Sequence, residues 1–596
     1  MLNNVKKLIS CIAILIIVCL FVTSNKVFAN GECELDDFTP WYSNDTLPTV
    51  SGKYYLTDDI KLTEVQYITG DNDVSICLNG HTIRQTKANS EVVILNMNAT
   101  LSIYDCKESG DLTSDYKAGM ITGGGNSCIR LMDDTVNGAL KGTTFNLYGG
   151  VISNNNSIEH GGALYLEGHG TFNMYGGLFT NNVSYKCGGA VYAREFSTVN
   201  LLGGAFRNNE SNQDGGAVYL YTASKGLVDG TIFLNNITVW DGGAIYAEAV
   251  DTYLEVNSGT FKYNKSKTSG GGAIAIFTQG TMLLNDADIE ENEAVYGGGI
   301  WIRKAYATIN NATIINNKAN TSGGGIQAQG IDIPFQKTCL TLNNAYIVNN
   351  EAPDGGGMFI GGTGKIYLND GTIENNKANN GGGIYVGTLG YGLVSNLKIK
   401  NNEALEYGGG IYCMRGSKSF FNNIDVQNNK ALSAGGIYAD DDFQIFDSNI
   451  SNNSASEGVG GLYIASADYD GESYYSSIVK MGGNMYIYDN EGNNKNMLID
   501  EESIVNLVSD GLSEDAKIGV NSNGDLLTKM LIGKYNYSKK GNEYIVTNGD
   551  LYKPMTKTNY VLVIGIIIVV LALIIFFIRR IFIKKEVKAW KKHQLY

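Results

Sequence analysis

A pair of glycines followed by a short aliphatic-aromatic segment recurs about twelve times in this chain. Sequence self-similarity at a fixed period restricts the fold to a stack of near-identical units, each burying its apolar side only against its neighbours. The pairs begin near Gly161, Gly188, Gly215, Gly242, Gly271, Gly297, Gly323, Gly355, Gly381, Gly408, Gly435 and Gly460. Their mean spacing is about 27 residues, inside the range of solenoid repeats. A second mark keeps phase with the first, a large apolar residue three positions before an asparagine. Phe179/Asn182, Phe206/Asn209, Phe233/Asn236 and Phe261/Asn264 open the series, and Ile289/Asn292 through Ile450/Asn453 continue it.

The period inside the repeat selects the kind of solenoid. In Ala190-Val191-Tyr192-Ala193 and Ala244-Ile245-Tyr246-Ala247 the second and fourth residues are aliphatic, the alternation of a strand with one buried face. A second strand precedes each Phe/Ile mark, as at Phe172 and Met174 or Val199 and Leu201, and the Phe/Ile-x-x-Asn segment supplies a third. No convincing 3.6-residue period runs between residues 50 and 555, which disfavours helical and leucine-rich repeats. The expected fold is therefore all-β, a single-stranded parallel β-helix with about 12 or more turns of about 27 residues. In such a stack paired glycines permit a turn with positive φ and a close approach of successive turns. An asparagine at a fixed place in each turn forms an amide ladder, each side chain donating to the next.

The GGA-I/V/L and Phe-x-x-Asn marks resemble the repeats of the chlamydial polymorphic membrane proteins, which are β-helical surface adhesins. The stretch Ile76-Cys77-Leu78-Asn79-Gly80-His81-Thr82-Ile83 resembles a strand motif of right-handed β-helix surface proteins from Gram-positive bacteria, and Asp515-Ala516-Lys517-Ile518-Gly519-Val520 a segment that closes them. Together these cover roughly residues 50 to 525 and imply a right-handed solenoid at a cell surface. Polymorphic membrane proteins end in an outer-membrane β-barrel, a segment with no counterpart here, so their autotransport route does not carry over.

The two ends imply a topology. Lys6 and Lys7 precede an apolar run from Leu8 to Val22 and the small-residue site Val27-Phe28-Ala29, which reads as a signal peptide over 1–29. Tyr560 to Ile578 carries no charge and is long enough to span a bilayer, and the basic tail 579–596 places the C-terminus in the cytoplasm. Between them lie an N-terminal cap (30–52), the β-helix (53–490) and a C-terminal cap with juxtamembrane linker (491–558). The expectation is a single-pass surface protein with an extracellular solenoid and one C-terminal transmembrane helix.

Charge and cysteine usage narrow the partners. The net charge of −15 grows more negative once the basic ends are set aside, and an acidic rod repels phosphate backbones, which argues against nucleic acid. Beyond the leader, Cys33, Cys77, Cys106, Cys128, Cys187, Cys339 and Cys413 are odd in number and scattered without C-x-x-C spacing, so they imply no metal site. A Cys106–Cys128 bridge is one pairing the sequence allows, and Cys413 stands in an inward aliphatic column. No cofactor is implied.

Parallel β-helices include polysaccharide-degrading enzymes, so a membrane-tethered lyase or glycoside hydrolase is the alternative class. Gly168-His169-Gly170 matches a short polygalacturonase motif with Asp133-Asp134 upstream, but the partner triplets of that family are absent. Asp214 and Asp241 occupy equivalent places in consecutive turns, and no basic residue keeps register with them. No catalytic residue is assigned. The stronger candidate for a site is the third column of the glycine strands: Tyr165, Tyr192, Tyr219, Tyr246, Ala275, Trp301, Gln327, Phe359, Tyr385, Tyr412, Tyr438 and Tyr463. If the aliphatic columns face inward, pleating turns this column outward as an exposed aromatic stripe. Two roles remain open for it, a binding face for extracellular glycans or surface proteins and a stabilising stack. On this reading a charge at Ile411 melts the stack and a charge at Tyr412 is tolerated.

Overall fold

Each glycine strand finds its partner one repeat away. In the computed structural model Leu164–Leu166 pairs in parallel with Val191–Arg194, placing Leu164 on Val191 and Tyr165 on Tyr192, and Val191–Arg194 pairs in turn with Val218–Tyr221. Like side chains therefore lie above like, at the ~4.8 Å spacing of hydrogen-bonded strands. The structure describes residues 35–132, 134–136, 139–330, 338–469, 473–475, 477–500, 503–522, 530–531, 536–540 and 543–547. These residues form a parallel β-solenoid of about 16 turns with about 27 residues per turn.

Three faces wall the solenoid. The first carries the glycine strands, the second strands such as Thr171–Met174 and Thr198–Leu201, and the third strands such as Leu178–Thr180 and Ala205–Arg207. In four turns the second and third faces run together as one strand: Lys225–Leu234, Tyr253–Lys262, Cys339–Val348 and Lys365–Glu374. A fourth, very short strip follows the third face, for example Val183–Ser184 on Glu210–Ser211. Stacked strands begin at Thr39–Trp41, which pairs with Gly52–Leu56. At the far end the antiparallel pair Asn536–Lys540 and Glu543–Thr547 lies along Lys517–Ser522, a way of covering an otherwise open edge.

One contiguous apolar core fills the interior. Phe179, Phe206, Phe233 and Phe261 are fully buried, and their rings stack at 4.9, 5.2 and 4.7 Å. Truncating one such Phe to Ala costs about 3–5 kcal/mol. Beside this column runs the asparagine ladder. Asn236 Nδ2 donates to Asn264 Oδ1 at 3.0 Å and to the Phe206 carbonyl at 2.9 Å. Asn236 Oδ1 accepts both the backbone N–H and the side-chain amide of Asn209. Every hydrogen-bonding position of the amide is thus occupied, which is what allows Asn236 to be 0 % exposed. The same Nδ2-to-Oδ1 bond, at 2.9–3.0 Å, runs without a break from Asn155 through Asn453 to Asn490.

The residue before each ladder asparagine has positive φ, between 53° and 57° from Asn154 to Asn452. That explains the Asn-Asn doublets: the first asparagine tolerates the left-handed bend and the second enters the ladder. Tyr263 and Glu291 occupy the same bend at φ 56° and 55° without that tolerance. The glycine pair is required on different grounds. Gly215 has φ 67°, and a Cβ on Gly216 would stand 2.0 Å from the carbonyl oxygen of Gly243 in the next turn. Where the third-face column changes from Phe to Ile, a third glycine replaces the alanine of the strand. A Cβ on Gly357 would come within 2.9 Å of Ile373 Cγ2, so the β-branched side chain takes the space the alanine methyl holds elsewhere.

Charge keeps register on the outer strip. Lys265, Glu293, Lys318, Glu351, Lys377, Glu403 and Lys430 face one another in successive turns with alternating sign. Lys265–Glu293 and Lys318–Glu351 close to 2.9 and 3.0 Å. These pairs are solvated and individually weak, yet a slip of one turn would oppose like charges throughout.

Cys106 is disulfide-bonded and Cys128 is a free, fully buried thiol, so the Cys106–Cys128 bridge does not form. Cys413 lies in the core as expected, and burial pushes its thiol up to about 12. Among the described residues no helix is long and apolar enough to cross a membrane. The leader 1–29 and the apolar run Tyr560 to Ile578 both lie outside the described residues.

The ladder predicts an asymmetric pair of variants. Asn236→Asp is near-isosteric but loses both donors and aims a carboxylate at Asn264 Oδ1 and the Phe206 carbonyl, at a cost of about 3 kcal/mol or more at neutral pH. Tyr263→Asn relieves a bend and should add about 0.5 kcal/mol or more. Urea unfolding of the two variants, read by circular dichroism, checks both signs.

Candidate functional site

Because the second and fourth residues of each glycine strand fill the core, the third turns outward. The register runs Tyr165, Tyr192, Tyr219, Tyr246, Ala275, Trp301, Gln327, Phe359, Tyr385, Tyr412, Tyr438 and Tyr463 without a slip. Tyr165, Tyr192, Tyr219, Tyr246 and Trp301 belong to an apolar cluster separate from the core, which confirms the outward direction.

The expected exposure of this stripe does not hold. Tyr165, Tyr192, Tyr219, Tyr246, Trp301 and Tyr385 are only 4–9 % exposed, and Phe359, Tyr412, Tyr438 and Tyr463 are half-buried. Rings set one strand step apart lie over one another and hide their faces: Tyr192 sits 5.2 Å from Tyr219, and Tyr412 lies between Tyr385 at 4.9 Å and Tyr438 at 5.3 Å. Side chains from the flanking turns cover the edges. His160 packs 4.3 Å from Tyr192, and burial lowers its imidazole pKa to about 4. The Arg130 guanidinium lies 4.9 Å over the Tyr165 ring at the first rung, held between Glu91 and Glu167.

Carboxylates line the first half of the column. Tyr219 and Tyr246 donate to the two oxygens of Glu248 at 3.0 and 2.8 Å, and burial raises both phenols far above their ordinary range. Asp214 and Asp241 do stack: Asp214 Oδ1 accepts the Asp241 N–H at 3.0 Å, and Asp241 Oδ1 accepts the Gly270 N–H at 2.8 Å. Each carboxyl clamps the turn that follows it. Burial first, then the neighbouring Asp241, pushes Asp214 up to about 7. Burial raises Asp241 too, against the hydrogen bonds it accepts from Ser269 and Gly270 and the charge of Arg303, which stands in register with Phe277 and not with the two aspartates.

The column has two rungs without a ring, and the structure treats them differently. At Ala275 the space is taken by Phe277 of the same strand, which packs edge-on against Tyr246 at 5.4 Å and Trp301 at 4.7 Å. At Gln327 the ring contacts stop at Trp301 and resume at Phe359, and a cleft of about 530 Å³ opens between them. Sequence reasoning missed Phe277, Glu248 and Arg303, whose partners belong to neighbouring turns.

Of the short polygalacturonase match, His169 stacks on Phe196 at 5.4 Å in the turn that leaves the glycine strand, and Asp133 lies outside the described residues. Among the described residues no group of three or more His, Cys, Asp or Glu is arranged to hold a metal ion.

The sequence profile of the Chlamydia polymorphic membrane protein repeat matches residues 176–194 and 230–248. Each stretch runs from a third-face strand through a ladder asparagine and a glycine pair to an aromatic rung, so it covers both columns that repeat. No curated protein and no solved structure matches the chain.

Two outcomes are expected from this geometry. Ile411, at 0 % exposure, should tolerate Asp least, but Tyr412→Asp also destabilises, by about 1–2 kcal/mol, because it removes ring contacts with Tyr385, Tyr407 and Tyr438. Asp214 holds its proton in the fold up to about pH 7 but releases it near 3.8 when unfolded, so stability falls as pH rises between those values. Asp214→Asn should flatten that slope and melt higher than the parent chain at pH 8, as thermal scans across pH 4 to 8 will show.

Proposed function

We propose that this chain is a surface-displayed binding scaffold of the adhesin class, with a repeat architecture like that of the Chlamydia polymorphic membrane proteins. The observation that carries the reading is the repeat match, which falls on the turns that combine ladder asparagine, glycine pair and outer tyrosine. A rod whose ladder asparagines satisfy one another internally holds its shape with little loop structure, which suits display of a long lateral face. On this reading residues 1–29 direct export, Tyr560 to Ile578 anchors the chain, and the solenoid faces outward toward extracellular glycans or surface proteins. The acidic composition supports a soluble rod that does not associate end to end.

The test uses cells expressing the full chain. An antibody against the solenoid should label them without permeabilisation, and they should adhere to glycan-coated or cell-coated surfaces better than cells carrying an empty vector. Labelling only after permeabilisation would remove the surface assignment. Release of new reducing ends or unsaturated products from uronic-acid or neutral polysaccharides would move the protein to the enzyme class.

A further inference from the structure

The outer column is a ladder of rings with one rung left open, and the open rung is built rather than collapsed. Gln327 replaces the ring there, in register with Trp301 on one side and Phe359 on the other. Its side chain is held down on the strand at 2 % exposure: Ser322 Oγ donates to Gln327 Oε1 at 2.7 Å, and Gln327 Nε2 reaches Gln329 Oε1 at 3.3 Å. Two strand steps separate Trp301 from Phe359, about 9.6 Å of backbone; Trp301 is 4 % exposed, so a guest there meets the rim of the indole and the half-buried ring of Phe359. The cleft of about 530 Å³ falls in the range of small-molecule sites.

Its polar groups are few and convergent. The Arg303 guanidinium rests on the rings of Phe277 and Trp301, 5.7 and 5.5 Å from their centroids, and no ion pair holds it among the described residues. Asp354 stands on the opposite side, accepting one bond from Asn380 Nδ2 at 3.2 Å. One cation and one carboxylate beside the amide of Gln329 leave no excess of charge for an ionic ligand. They match a ring that both donates and accepts through hydroxyl groups while offering a C–H face to an aromatic wall.

We propose that the cleft over Gln327 is a binding subsite for a single pyranose ring of a neutral glycan, seated against Phe359 and the rim of Trp301. Asp354 accepts from ring hydroxyls, and Arg303 and Gln329 donate to them. The proposal rests on the binding-scaffold reading and names its ligand. At Ala275 the chain fills its own missing rung with Phe277, so the second gap is one the chain leaves for a guest.

The experiment adds the rung back. Full-length protein purified in detergent is titrated with immobilised chitotetraose and β-glucan oligosaccharides and with N-acetyllactosamine glycans, arms that separate structural polysaccharides from glycoprotein-type sugars. Binding is followed by saturation-transfer NMR and tryptophan fluorescence. Gln327→Tyr should weaken binding of the preferred neutral sugar by about tenfold or more, the loss of one or two good hydrogen bonds and a ring contact, while melting at or above the parent temperature. Arg303→Ala and Asp354→Ala should each weaken it by about fivefold or more with unchanged circular dichroism, and they decide the matter if Gln327→Tyr fails to fold. Equal affinity of folded Gln327→Tyr overturns the proposal, and so does binding confined to sulfated or carboxylated glycans. Adhesion of displaying cells through a protein ligand, with no neutral sugar bound, also overturns it but leaves the scaffold reading standing. Absence of any adhesion sinks both.

Discussion

The buried asparagine ladder is the interaction on which the rest of this structure depends. A primary amide is the one side chain with two donors and two acceptor sites in a plane, so identical copies stacked at the strand spacing can bond one another and still reach the backbone with the donor and acceptor that remain. Each copy also takes the carbonyl of the third-face residue in the preceding turn, as Asn236 does with Phe206, and locks the bend to the face beneath it. The solenoid can therefore turn a corner inside its own core without leaving a polar group unpaired. The left-handed residue before each ladder position follows from the same corner, and so does the stacking of Phe179 to Phe261 beside it.

The outer aromatic column obeys the same rule of repetition with a different result. Placing a tyrosine at each turn brings rings to about 5 Å, where they cover one another and become nearly as buried as core residues. Repetition thus converts what would be an exposed stripe into a second apolar cluster, and function on that face is most accessible where repetition fails. The two failures, at Ala275 and Gln327, are equivalent in sequence and opposite in structure. Half-buried carboxyls such as Asp214 and Asp241 stand along the first half, where each clamps the backbone of the following turn at the expense of a raised pKa.

Periodicity made the architecture legible. The glycine pairs, the Phe/Ile-x-x-Asn mark and the alternation Val191, Ala193 against Tyr192 each state a local geometry, and in a solenoid the local geometry repeated is the fold. The exceptions arose where a residue's environment comes from another turn. The burial of Tyr219 depends on Tyr192, Tyr246 and Glu248, the closing of the Ala275 rung on Phe277, and the free Cys128 on a disulfide made elsewhere by Cys106.

The sequence by itself determined the strand columns, the inward and outward faces and the ladder, because each follows from residue type and a fixed period. Only the tertiary structure decided how much of the outward face meets solvent and where it opens. Exposure is a property of neighbours one turn above and below, and a ring that looks free on its own strand is covered once the strand is stacked. The cleft over Gln327 exists because Trp301 leans on Tyr296 and Phe277 instead of on the rung beside it, a choice of packing partner that no local pattern encodes.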